Sequence, residues 1–419
     1  MLYQNADNNC PEAVKSSATN LFITCFLTFG MFFGVLFYDF IYTHFGFSYI
    51  DEILALLLCI FTLFCLIHDR TCKASGYWFW LFAVFAFYLV YSFVIHSNTK
   101  SAIIQDAIVE LKPFLGFFCA YTIGKELTKA QKRIIQYACY VSIFLLLLTT
   151  RDQYYFIGHP SRYATCATFI AMLYLYVSDF TKKNLIIFLA ILSVAVLSTR
   201  SKAYGFVVFS TILSLLFYNN IRFRLSFKYV LYTIIFIGGI ILVTWEKIDY
   251  YFIYGAQNIE TNDIEVAFAR PAMYWGAWQI LCDYVPFGSG FASFGTYFSA
   301  EHYSAVYYTY GLNIVHGLSE EVPDFIADAY YPSLAQYGLA GIGIFIYFWV
   351  FVIRKAASHH ISGNKESHKL FFLILSIVTF FAIELVADTT LTHNRGFFIL
   401  LIMGLSLRQL MDMKSKGNE

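Results

Sequence analysis

Apolar runs long enough to cross a bilayer alternate along this chain with short polar connections, and one long connection breaks that rhythm. About twenty mostly apolar residues make a transmembrane helix. That rule predicts spans over 20–43, 49–67, 77–96, 103–124, 133–150, 163–180, 184–199, 203–220, 228–246, 330–353, 370–388 and 396–411. The fourth segment carries Asp106, Glu110, Lys112 and Pro113, so it reads either as a continuous span or as an interfacial helix that then crosses. The break in the rhythm is a polar insert from Lys247 to Ala329. The expected architecture is all-α and polytopic, with about twelve transmembrane helices in one integral membrane domain. It divides into an N-terminal bundle of about nine helices (1–246), the insert (247–329) and the C-terminal helices (330–419). Within the insert, Ala267–Tyr284 has apolar residues on all faces, and Pro271 just after Arg270 suits a helix start. A short helix on the membrane surface is expected there, stopped by Pro286. Gly288, Ser289 and Gly290 predict a tight turn, and an aromatic-rich stretch follows from Phe291 to Tyr310.

Composition agrees with the pattern. The chain of 419 residues is 59% hydrophobic and 13% charged, against about a quarter charged in soluble domains. The formal net charge of +1 makes no case for a nucleic-acid partner. The first eighteen residues are polar with a single cation, Lys15, and the apolar run after them is too long for a signal-peptide core, so it reads as an uncleaved first span. The nine cysteines include no CxxC and no metal-ligand spacing with histidine; most sit in apolar runs, and the insert holds only Cys282. Neither a metal site nor a disulfide scaffold is expected.

Orientation follows from the bias of Lys and Arg toward the cytoplasm. Placing both termini inside puts nineteen of the 28 cations on the cytoplasmic side and nine outside: Lys100, Lys112, Arg151, Arg162, Arg200, Lys202, Lys247, Arg270 and Arg395. The insert then faces outward. Arg162, Arg200, Lys202, Arg270 and Arg395 cluster at outer span ends or in the insert, against the bias. Snorkelling to headgroups accounts for any one of them; five on one face point to an anion site. Asp39, Asp106, Glu110, Asp179, Glu384 and Asp388 lie mostly near span ends, where burial costs least. No P-loop, GxSxG, HExxH or GxGxxG in a βαβ setting occurs, which disfavours an ATP-driven pump and a sugar-nucleotide transferase.

Three motifs carry a resemblance. Ser198-Thr199-Arg200-Ser201-Lys202 lies between two spans. Arg270-Pro271-x-x-Tyr274-Trp275 leads to Pro286-x-Gly288-x-Gly290-x-x-x-Phe294. Asp328-x-Tyr330-x5-Gln336-Tyr337-Gly338 opens the next helix. In this order, over roughly residues 190–350, the chain resembles the O-antigen polymerase and ligase superfamily. That resemblance implies a metal-independent, cofactor-free glycosyltransferase of a bacterial inner membrane. Its donor would be a polyprenyl-pyrophosphate-linked oligosaccharide, its site would face the periplasm, and a chain-length regulator is a plausible partner. Arginine suits such a donor because its planar fork binds phosphate bidentately and stays charged.

The expected pyrophosphate clamp is Arg200 and Arg270, assisted by Arg162, Arg395 or Lys202. Tyr274 and Trp275 accompany Arg270 in its motif. Asp328 is the candidate general base, with Asp324, Glu321 and His316 behind it; Asp328 could instead cap the next helix. The ligases of the superfamily carry a histidine near this position. Its absence here favours a polymerase, which passes the growing glycan to the next lipid-linked repeat unit, over a ligase acting on lipid A–core or protein. Gly288 and Gly290 read as turn residues or as a close approach to the donor. The Tyr and Phe residues from Phe291 to Tyr310 could stack on sugars or lie on headgroups. The reading from another class is a transporter or flippase of the same lipid-linked glycan, which would favour midplane charges and broken helices.

Overall fold

A computed structural model describes residues 17–68, 76–218 and 268–416, together with residue 249. The predicted span at 228–246, the start of the insert at 247–267 apart from residue 249, and Lys15, Arg70, Lys73, Arg222, Arg224, Lys228 and Lys247 lie outside the described residues.

All regular structure among the described residues is helical. In chain order, α1 (Ala18–Phe29) runs into a π-helical turn (Gly30–Leu36). It is followed by α2 (Tyr38–Phe45), α3 (Ile50–His68), α4 (Tyr77–Ile95), α5 (Lys100–Ile123), α6 (Lys129–Leu148) and α7 (Gln153–Ile157). Then come α8 (Pro160–Val177), α9 (Lys182–Ser193, extended by a 3₁₀ turn) and α10 (Ser201–Tyr218). The insert contributes α11 (Ala269–Asp283), α12 (Tyr297–Glu301) and α13 (Ala305–Thr309); α14 (Tyr330–Ser333), α15 (Gly338–His359), α16 (Lys365–Glu384) and α17 (Asn394–Lys416) complete the chain.

A helix stands at each of the eleven predicted segments that fall among the described residues. Seven stretches there are long and apolar enough to cross a membrane: Ala18–Leu36, Ile50–His68, Tyr77–Ile95, Ser201–Tyr218, Tyr330–His359, Lys365–Glu384 and Asn394–Ser415. Their starts follow local chemistry. Thr99 caps α5, Thr128 and Gln131 form a reciprocal capping box on α6, Pro160 opens α8 at its first position, and Asn364 caps α16. One segment differs from expectation, and another takes one of its two expected forms. The first breaks at Phe37, which sets α2 apart. The fourth is one 24-residue helix through Pro113, with no separate interfacial part.

Helices α5, α8 and α17 form the centre. From Tyr163 to Val177 every residue of α8 is buried, as expected of a helix that is apolar all round. Helices α5 and α17 approach closely because small residues stand where they cross. A Cβ on Gly404 would lie 2.3 Å from the carbonyl oxygen of Phe117, and one on Gly116 would meet the Phe397 ring at 2.8 Å. Around this centre, α3, α4 and α15 leave large apolar side chains exposed, among them Ile60, Leu63, Phe79, Trp80, Val94 and Ile346. A continuous apolar surface of that kind fits lipid and not water.

The insert holds the expected helix, α11, and is more than that helix with a loose aromatic loop. It folds on itself. Ala272, Met273, Ala277 and Ile280 of α11 pack against Phe294, Tyr307, Leu312, Val315 and Ile326 in a second core. It is also tied to the α4–α5 corner. Asn98 donates to the carbonyls of Ala292 and His302 (2.7 and 2.8 Å), Ser97 to that of Phe291 (2.8 Å) and Tyr91 to that of Gly288 (2.8 Å). In return Phe291 N–H donates to Ser92 (2.8 Å) and Ala292 N–H to the buried carboxylate of Asp106 (2.7 Å).

Candidate functional site

Between the bundle and this cap lies a polar cavity of about 490 Å³. Helix α2 and the turn after it contribute Tyr38, Asp39, Tyr42 and Tyr49; α3 contributes Asp51 and Glu52. Asp106, Glu110 and Lys112 come from α5, Arg162 from α8, and His393, Asn394 and Arg395 from the start of α17. The cap closes it with Thr296, Tyr297, Phe298, Glu301 and Asp324.

Most of the expected outward cations come together at this end of the molecule, and most have a carboxylate partner. Arg162 bonds Asp39 at 2.7 Å, and Arg395 grips the other oxygen of the same carboxylate. Arg395 and Asp39 are almost fully buried, with side chains 3% and 2% exposed. Lys112 lies halfway along α5 and pairs with Asp51 and with Glu52 (2.7 Å). Lys202 reaches Glu384 (2.7 Å) and Asp388 (2.9 Å). Arg270 pairs with Asp328. Snorkelling is therefore not how Arg395, Lys112 and Lys202 are accommodated: their charges turn inward onto acids from distant helices. Arg200 differs, because its guanidinium donates to Nε2 of His159 at 2.9 Å. Burial and the neighbouring guanidinium hold His159 below the usual imidazole value, so the ring accepts this bond as a neutral partner. The positive charge of Arg200 is consequently less neutralised than that of the other five cations.

The nominated base and half of the nominated clamp thus hold each other. Asp328 does not cap the following helix, whose N-cap is Ala329 without a side-chain bond. Burial pushes its carboxyl above the usual range, and Arg270 only partly offsets this. Tyr274 donates to the Val386 carbonyl (2.9 Å), bringing α11 onto the α16–α17 turn. Trp275 packs on the insert core. Asp324 is exposed at the cavity rim, whereas His316 is exposed and stands outside the cavity lining.

Gly288 and Gly290 also stand outside the lining. With φ of 79° and 85° they make the expected turn, but a Cβ on Gly288 would lie 2.3 Å from Gly338 N and one on Gly290 would lie 2.8 Å from Ser97 Cβ. Close packing against the protein's own backbone and the α4–α5 corner explains both glycines. Of the aromatic stretch, Phe291, Phe294 and Tyr307 are buried as core, while Tyr297 and Phe298 line the cavity.

The residues that sequence reasoning missed are counter-charges and neighbours. Asp51, Glu52, His159, His393, Tyr42 and Tyr49 belong to the site because the fold brings them there. All but Tyr42 stand at or beside a helix start, the one signal that could have singled them out. Asp388 shows how strongly such pairing acts. Burial alone would raise its carboxyl, but Lys202 and a hydrogen bond from Thr390 (2.7 Å) bring it down to about 2. A depressed acid stabilises the fold above its unfolded pKa, near 4, and the contribution is lost as pH falls toward 2. The fall from 3.8 to about 2 corresponds to about 2.5 kcal/mol. Asp388→Asn is expected to lower stability at pH 6 by about that amount and to flatten the acid limb of a thermal-stability profile between pH 4 and 2.

Beside the polar cavity runs an apolar one of about 170 Å³. Its walls are α4, α5 and α15, through Trp80, Phe85, Phe114, Ile344 and Phe348. Glu110 and Tyr330 line both spaces, and the Tyr330 hydroxyl donates to the Glu110 carboxylate at 2.9 Å. Among the described residues no cluster of three or more His, Cys, Asp or Glu is arranged to hold a metal ion. In comparisons with known proteins, no family model and no curated protein matches this chain.

Proposed function

We propose that this chain is a polysaccharide polymerase that transfers a polyprenyl-pyrophosphate-linked glycan onto the next lipid-linked repeat unit at the outer face of a bacterial inner membrane. The observation that carries the reading is the junction at Glu110 and Tyr330, where a polar cavity meets an apolar one walled by α4, α5 and α15. An amphiphile with a long apolar tail and a hydrophilic head fits that pair of spaces. In this reading twelve spans cross with both termini in the cytoplasm, and the cap covers the head group.

The chemistry follows from the pairings. Arg200 and Arg270 bind the donor pyrophosphate, Arg200 from its neutral histidine partner and Arg270 by releasing Asp328. That exchange frees a carboxylate whose basicity burial has already raised. The acceptor hydroxyl oxygen bonds the anomeric carbon, the bond from that carbon to phosphate oxygen breaks, and the hydroxyl proton passes to Asp328. Polyprenyl pyrophosphate leaves with its negative charge held by the two guanidinium groups. Holding both lipid-linked reactants beneath one cap supplies rate through positioning.

Lipid-linked and surface glycans, resolved by chain length with and without the gene, test this. Single repeats at the surface with long chains lost are expected. Full-length chains stranded on the carrier would mean a ligase. The buried pairs Asp39–Arg395 and Asp51–Lys112 favour a transporter of the same lipid as the second reading, and single units trapped at the inner leaflet would establish it. Unchanged glycans would overturn all three.

A further inference from the structure

The polar cavity has a composition that a pyrophosphate site does not need. Seven carboxyl groups line it, from Asp39, Asp51, Glu52, Asp106, Glu110, Glu301 and Asp324, against the cations Lys112, Arg162 and Arg395. All three cations are held by Asp39, Asp51 or Glu52. The remaining four carboxyl groups have no ion-pair partner among the described residues. Arg200, Lys202 and Arg270 stand outside the lining. Two acceptor atoms of the wall, Oδ1 of Asp51 and Oε2 of Glu52, are buried without a hydrogen bond among the described residues. A buried orphan acceptor is costly and calls for a donor. Independently, three tyrosines from separate parts of the chain, Tyr42, Tyr49 and Tyr297, meet at the cavity with their side chains largely exposed. Aromatic faces around a few convergent polar groups are the usual lining of a small-molecule site.

We propose that this cavity is the sugar subsite and that it selects neutral or amino sugars, excluding sugars that carry a carboxylate. The inference rests on the polymerase reading and adds to it the chemical class of the repeat unit. Sugar hydroxyls and ammonium groups donate to the carboxylates and to the orphan oxygens of Asp51 and Glu52, and pyranose faces lie on the tyrosines. A uronic acid brings a like charge into a wall where seven carboxyl groups face three cations. Glu301 and Asp324, on the cap side, exert the exclusion without touching the clamp.

The test is saturation-transfer NMR on the full-length protein in lipid nanodiscs, with chitotriose, the glucosamine trimer and trigalacturonate as probes at equal concentration. Transfer to the first two is expected, with about tenfold less to trigalacturonate, because like-charge juxtaposition is strongly unfavourable. Tyr297→Ala, at an exposed position, is expected to reduce chitotriose transfer about fivefold, the worth of one aromatic face. The double variant Glu301→Gln, Asp324→Asn is expected to admit trigalacturonate. Equal transfer to all three probes, or chitotriose transfer indifferent to Tyr297→Ala, would overturn the proposal. The readout is binding, so it separates from the polymerase reading. Selective binding with unchanged cellular glycans would leave the subsite standing and remove the polymerase. Shortened glycans with unselective binding would do the reverse.

Discussion

Asp39→Ala is expected to cost the folded protein about 3–5 kcal/mol, because removing one partner of a buried pair strands the other charge. Asp39 is the shared counter-ion of two arginines, and one of them is almost fully buried. The Arg395 side chain is 3% exposed and otherwise meets Cys166 Sγ and Asn394 Oδ1, both at 3.2 Å. The Arg162 side chain is 40% exposed and can rehydrate, so the penalty is set by Arg395. The measurement is thermal unfolding of the detergent-solubilised full-length protein. The control is Asp39→Leu with Arg395→Met, which replaces the pair by apolar groups and is expected to recover most of the loss. A melting temperature unchanged by Asp39→Ala would show that the carboxylate is not what holds Arg395.

Arg270→Ala is expected to do the opposite, leaving stability nearly intact and reducing polymer formation about a hundredfold, the usual cost of losing one preorganised charge at the reacting centre. Its pair with Asp328 is half-buried, with side chains 25% and 37% exposed, and such pairs contribute about 1 kcal/mol or less. The charge-reversed double variant Arg270→Asp, Asp328→Arg keeps an ion pair but moves the guanidinium. It is expected to remain folded and inactive. The readouts are melting temperature and chain-length distribution in cells lacking the native gene. Normal polymer from Arg270→Ala would remove it from the clamp, and rescue by the reversed pair would reduce its role to holding α11 in place.

The contrast between these two pairs also shows which parts of the molecule were legible in the sequence. Helix positions were, because the length and apolarity of a run are local properties. The cation cluster was as well, since cations placed against the cytoplasmic bias stand out one at a time. Their partners did not. Arg395 and Asp39 are 356 positions apart, and nothing near either predicts the other. The cap misled for a different reason. The apolar positions of α11 read the same whether they face headgroups or a core of their own, and only the fold delivers Phe294 and Tyr307 to them. The turn at Gly288–Gly290 was legible as a turn. That it is glycine because Gly338 and Ser97 press on it was not.

The ties between the insert and the α4–α5 corner have a consequence for how anything reaches the site. Asn98, Ser97, Ser92 and Asp106 all bind backbone of the segment from Phe291 to His302, and Tyr88 donates to the Tyr337 carbonyl at 2.7 Å on the far side of the same turn. A segment fastened this way behaves as a ceiling and not as a door. In the proposed reading traffic would then run sideways, along the apolar cavity walled by α4, α5 and α15. If the proposed function holds, turnover would follow the fluidity of the surrounding bilayer and the two-dimensional density of carrier lipid, and stirring the water outside would change nothing.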